Sequence, residues 1–90
     1  MTAARYRLRR SARFRTVFDE GLALDQATGR LHVLNPAGAV ILAALESPRT
    51  VEELVEAVLE TFDAEPGAVR RDVEAFLDEA VTAGLVERLA

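Results

Sequence analysis

The period of the apolar positions changes once along the chain. Residues 13–18, Arg-Phe-Arg-Thr-Val-Phe, alternate polar and apolar side chains and are rich in β-formers, so they read as a strand with one buried face. Asp19-Glu20-Gly21 supplies turn chemistry before Leu22-Ala23-Leu24, completing a hairpin. Residues 25–29 form a second turn, where Asp25 can bond its own downstream backbone and Gly29 can take positive φ. Leu31-His32-Val33-Leu34 is then a third short strand, and the three make a small antiparallel meander.

Beyond Asn35-Pro36 the period becomes helical. Asn35 is suited to accept from the orphan amides of a helix start, and Pro36 is pre-set for the first helical position. Residues 37–45 are apolar nearly all round, as in a helix buried at the centre of a domain. Ser47-Pro48-Arg49 breaks that helix, and Thr50-Val51-Glu52-Glu53 is a capping box. The second helix turns Val51, Leu54, Val55, Val58, Leu59 and Phe62 inward, with Glu52, Glu53, Glu56 and Glu60 in water.

Pro66 opens the last helix. Its core stripe is predicted to be Val69, Val73, Phe76, Ala80 and Ala83, closed by Gly84 as a left-handed cap, with Leu85-Val86 folding back onto that end. At about 100° per residue, Leu77 and Val81 lie to one side of this stripe with Arg70 and Glu74, while Asp72 and Glu79 form a solvated flank on the other. The expected fold class is α+β: a three-stranded antiparallel sheet followed by three helices, winged helix-turn-helix-like.

Length limits the chain to one small domain, since 90 residues of which 50% are hydrophobic can bury a single core. With no Cys and one His there is no thiolate, no disulfide and no His cluster, so neither a metal nor a cofactor is expected. Carboxylate pairs such as Glu52-Glu53 fall on exposed helix faces, where nothing shifts a pKa toward acid–base work. No apolar run suggests a membrane span or a signal peptide, and the composition reads as cytoplasmic. The net charge of -4 is unevenly spread, because six of the 11 Arg precede the first acid at Asp19. Residues 1–11 therefore read as a basic N-terminal arm and residues 12–90 as the domain. An arm of this kind is a solvated surface or a collar for an acidic leader or partner.

In the meander the first and third strands are edges. Arg13 and Arg15 blunt the first, but the third carries no Pro, Lys or acid that would forbid pairing with another chain. Strand addition draws affinity from backbone hydrogen bonds and specificity from side-chain pockets, and Leu77 with Val81 could wall such a pocket. Alternatively, these two residues pack on the strand and complete the core. A helix-turn-helix arrangement also raises DNA binding, but residues 65–83 carry two Arg against five acids, which would repel phosphates. A small dimerisation module is the remaining alternative.

The strings Asp19-Glu20-Gly21-Leu22, residues 29–39 (Gly-Arg-Leu-His-Val-Leu-Asn-Pro-Ala-Gly-Ala), residues 48–54 (Pro-Arg-Thr-Val-Glu-Glu-Leu), residues 72–77 (Asp-Val-Glu-Ala-Phe-Leu) and Gly84-Leu85-Val86 together resemble the PqqD-like family, the precursor-peptide recognition elements of ribosomally made natural products. The resemblance runs from about Tyr6 onward. It departs at Glu65, where an Asp often precedes the Pro of the last helix, and at Gly67, a poor helix former.

This resemblance implies a non-enzymatic peptide chaperone that binds a precursor leader as an added strand beside the third strand, in a groove against the last helix. The peptide-binding residues it implies are Leu31, His32, Val33 and Leu34 on the strand and Arg70, Val73, Glu74, Leu77 and Val81 on the helix. A separate maturation enzyme, of the radical-SAM or the leader peptidase/cyclase type, would then act on the peptide. No nucleic acid or membrane is implied as a partner, and the chain could be monomer or dimer.

Overall fold

The structure, a computed structural model, describes residues 3–17 and 20–89. The predicted meander is present as β2 (Ala12–Val17), β3 (Glu20–Asp25) and β4 (Arg30–Leu34), in the order β2-β3-β4 and antiparallel throughout. Phe18 and Asp19, expected at a strand end and a turn, lie outside the described residues, whereas Glu20 and Gly21 already belong to β3. The second turn has its expected chemistry. The Asp25 carboxylate accepts from the Ala27 amide at 3.0 Å, and its backbone carbonyl accepts from the Gly29 amide at 2.7 Å.

Three helices follow: α1 (Pro36–Ala44), α2 (Val51–Thr61) and α3 (Pro66–Thr82). Each start is fixed by a side chain that satisfies amides left without helical partners. Asn35 accepts from Gly38 at 2.7 Å, and Thr50 and Glu53 form the reciprocal capping box. Glu65 accepts from both Gly67 and Ala68, at 2.9 and 2.7 Å, so it caps α3 at the position where the family resemblance leads one to expect Asp. At the far end Gly84 has φ +79° and the Leu85 amide donates to the Ala80 carbonyl, a left-handed closure that turns the chain back. Ile41, Leu42 and Leu45 of the first helical segment, Leu54 and Val58 of α2, and Val69, Val73, Leu77 and Ala80 of α3 fill the core.

Hydrogen bonds from the Gly67 and Ala68 amides hold the Glu65 carboxyl below its ordinary pKa. Because its folded-state value lies below the unfolded one, the cap's contribution is complete above the ordinary carboxylate range and is lost as pH falls through the lowered value. Glu65→Ala is therefore expected to lower Tm at neutral pH, with the gap from wild type closing below about pH 4. Thermal melts across pH check this; a gap that widens on acidification would contradict it.

Within the basic N-terminal arm expected over residues 1–11, the described segment 5–8 is tied into the fold. Arg5–Leu8 forms β1, the centre of a second sheet ordered β5-β1-β6, between β5 (Arg49–Thr50) and β6 (Val86–Leu89). Arg7 stands opposite Glu87, and their side chains pair at 3.2 Å. Tyr6 and Leu8 pack on the core, and the Leu8 amide donates to the Leu45 carbonyl at 2.8 Å. Arg5 and Arg7 lie on one face of this strand, and Tyr6 and Leu8 on the other. The whole is an α+β, winged helix-turn-helix-like domain with one sheet more than the sequence pattern suggested.

Candidate functional site

Among the described residues β3 is the only strand that pairs with β4, so the outer edge of β4 is free. Among the described residues no other strand occupies that edge, and Arg5–Leu8 is engaged in the second sheet. Its unpaired amides and carbonyls are a template for a further strand. Beside it, two adjoining hollows of about 350 and 250 Å³ share Asn35, Phe76 and Glu79. They form a groove between α3 on one side and β4 with the start of α1 on the other.

Strand alternation divides the four strand residues predicted for the site. His32 and Leu34 turn inward and line the smaller hollow. Leu31 and Val33 point to the opposite face, where they are 60% and 68% exposed, although Val33 also borders the smaller hollow. On that outer face Val33 stands opposite Leu22 and Leu31 opposite Leu24, with Arg15 and Arg13 next on β2.

The helix wall differs from the one predicted. Leu77, only 1% exposed, belongs to the core, and Val73, equally buried, contributes to the floor of the larger hollow. Arg70 faces α2, where it pairs with Glu52 at 2.7 Å and with Glu74 at 3.4 Å, and Val81 lies on that same flank. The hydrogen bond from Arg70 holds the Glu52 carboxyl below its ordinary pKa, marking the pair as a bridge between helices rather than a groove element. The groove is walled instead by Asp72, Phe76, Glu79 and Ala83.

The cause is a roll of the helix by roughly 40° from the expected stripe, which buries Leu77 and brings Phe76 and Ala83 to the groove. Asp72 and Glu79, expected in bulk solvent, thus make the wall acidic, and neither forms an ion pair among the described residues. No Arg lines either hollow, so the groove presents an acidic guest with carboxylates rather than cations.

Gly38 of α1 is the sequence signal for this arrangement. A Cβ there would sit 2.9 Å from the Phe76 ring, so α1 and the groove wall approach at a distance that only glycine allows. In an open helix Gly→Ala would raise stability by up to about 1 kcal/mol. Gly38→Ala is instead expected to lower it by about 1 kcal/mol or more, because the ring must move. Urea unfolding of the two proteins decides the sign.

Fold and site together define a winged domain with an unpaired sheet edge beside a helical groove. Residues 20–86 match the PqqD family, coenzyme PQQ synthesis protein D, and the chain belongs to that family. A comparison with curated proteins finds no match. Among solved structures, TbiB1 in complex with the TbiA(beta) leader peptide superposes with a TM-score of 0.82 at 26% identity, covering 93% of this chain and 98% of that one. A lasso peptide synthetase B1 complexed with its leader peptide has the same fold, with a TM-score of 0.77 at 20% identity over 91% of this chain and 96% of that one.

Proposed function

We propose that this domain is a non-enzymatic adaptor that captures the leader segment of a ribosomally synthesised precursor peptide and presents it to a maturation enzyme. The leader adds as a strand to the free edge of β4, and alternate side chains enter the groove against α3. The observation that carries this reading is the unpaired β4 edge alongside a groove made of two adjoining hollows. Family membership and the leader-bound state of TbiB1 support it. With the guest on the edge and in the groove, the outward apolar face of the meander stays uncovered and available to the enzyme.

The DNA-binding alternative finds no support in the charge of α3, whose groove flank carries Asp72 and Glu79. No helix among the described residues is long and apolar enough to cross a membrane.

Peptides of about 12 residues, selected on the protein from a random display library, outreach the five-residue edge of β4 at about 3.3 Å per residue and serve as probes. On titration of isotope-labelled protein with such a peptide, the amide signals of residues 30–34 and of Phe76 and Glu79 are expected to shift together. Shifts confined to α2 or to the second sheet would overturn strand addition at β4.

A further inference from the structure

α1 packs on the inner face of the meander, so closely that a Cβ on Gly21 would meet the Ala39 side chain at 2.8 Å. The outer face carries two adjacent rows, in which Leu24 stands between Arg13 and Leu31, and Leu22 between Arg15 and Val33. Val17, opposite Glu20, begins a third. None of these aliphatic side chains belongs to the core or packs against it. Val17, Leu31 and Val33 are three of the four large apolar residues exposed among the described residues, so the exposed apolar surface is gathered here. Thr would suit an exposed strand as well, so β-propensity alone does not call for aliphatics. A contiguous apolar patch with a polar rim marks an interaction surface.

The rim is basic. The Arg13 guanidinium donates to the Arg10 and Ala12 carbonyls, at 3.0 and 3.2 Å, which holds it at the border of the patch. Arg15 is exposed in the next row, and neither Arg forms an ion pair among the described residues. Arg10 and Arg30 are exposed at the same end of the meander as Arg13. Of the two acids within β2, β3 and β4, Asp25 is buried and Glu20 stands at the opposite end. A chain of net charge -4 thus presents a positive border around its exposed aliphatics.

We propose that this face docks a protein partner through a complementary surface, an apolar centre bordered by carboxylates. The identity of that partner as the maturation enzyme rests on the adaptor reading above. Leu22, Leu24, Leu31 and Val33 supply the desolvated centre, and Arg13 and Arg15 engage the carboxylates, which turns away basic surfaces. A second copy of the chain offers the same basic border and complements it poorly. The β4 edge and the groove serve the leader, so guest and enzyme are held at once on different surfaces.

The probe is a display library of a small helical scaffold with one exposed face randomised, sorted on the full chain. Selected scaffolds are expected to combine apolar residues with Asp or Glu and to shift the methyl signals of Leu22, Leu24, Leu31 and Val33. Their affinity should fall roughly 10-fold or more in Arg13→Glu/Arg15→Glu, an exchange of exposed side chains that leaves the core untouched. Sorting on that double variant should replace the acidic bias with a basic one. Leu31→Ser, equally outside the core, should weaken the scaffolds about 5-fold or more through lost apolar contact. Thermal melts establish that both variants are folded.

Scaffolds without an acidic bias, scaffolds seated on another surface, or equal affinity for wild type and the double variant would overturn the docking face. Movement of the same methyl signals when the protein alone is diluted would also overturn it, by giving the face to a second copy. The adaptor reading fails separately, when selected peptides of about 12 residues leave the amides of residues 30–34 unshifted while the scaffolds still bind the outer face.

Discussion

Proline at His32 and proline at Val33 are each expected to end peptide capture, by two separable routes. Successive residues of a strand send their amides to opposite edges, so one of this pair donates toward β3 and the other toward the free edge of β4. At the edge-facing position proline removes a donor the guest needs and places its ring where the guest backbone must approach, while the β3–β4 ladder persists. Affinity for a selected peptide should fall at least about 10-fold, toward no detectable binding, with Tm changed little, because one lost backbone bond is compounded by exclusion of the strand. At the ladder-facing position proline breaks the pairing of β4 with β3, and Tm falls together with binding.

Glu56→Ala, on an exposed position of α2 away from the groove, should leave both quantities as in wild type. Fluorescence anisotropy with a labelled peptide and thermal melts of the three variants separate these cases. Retention of wild-type affinity by both proline variants would place the guest on some other surface.

The features legible in the sequence are those decided by neighbours in the chain. Asn35, Thr50 with Glu53, and Gly84 each act on amides or carbonyls within a few residues, and each is found in its predicted role. The pairing of Arg5–Leu8 with Val86–Leu89 joins segments about 80 residues apart and leaves no local mark beyond the alternation Arg-Tyr-Arg-Leu, which the charge obscures.

The faces of β4 were ambiguous for another reason. Alternation separates Leu31 and Val33 from His32 and Leu34 but does not say which pair looks inward, and hydropathy favours the wrong pair. Packing decides: α3 lies over the face that holds His32, where Phe76, Ala80 and Ala83 line the hollow. The roll of α3 escapes periodicity in the same way, since Phe76 and Leu77 are adjacent and both apolar. A stripe centred on either is compatible with a helical period until Gly38 fixes the place of the Phe76 ring.

Alanine at these two adjacent positions therefore separates fold from recognition. Leu77 is 1% exposed within the core, and truncation there leaves a cavity that its neighbours fill only in part, so Leu77→Ala is expected to cost about 2–5 kcal/mol. Against a total of roughly 5–15 kcal/mol for a domain of this kind, that loss brings the variant close to its unfolding threshold. Whatever fraction remains folded keeps the groove wall, and its affinity for a selected peptide should match wild type once the unfolded population is accounted for.

Phe76 is only partly buried and forms the wall common to both hollows. Phe76→Ala removes apolar surface that a guest would cover, at about 25 cal/mol per Å², and its affinity is expected to fall roughly 10-fold or more even where the protein is fully folded. Urea unfolding paired with anisotropy at a temperature well below both transitions makes the comparison. If Leu77→Ala weakened the peptide more than Phe76→Ala did, the guest would have to contact the flank of Arg70, Glu74 and Val81, and the groove against β4 would not be the site of capture.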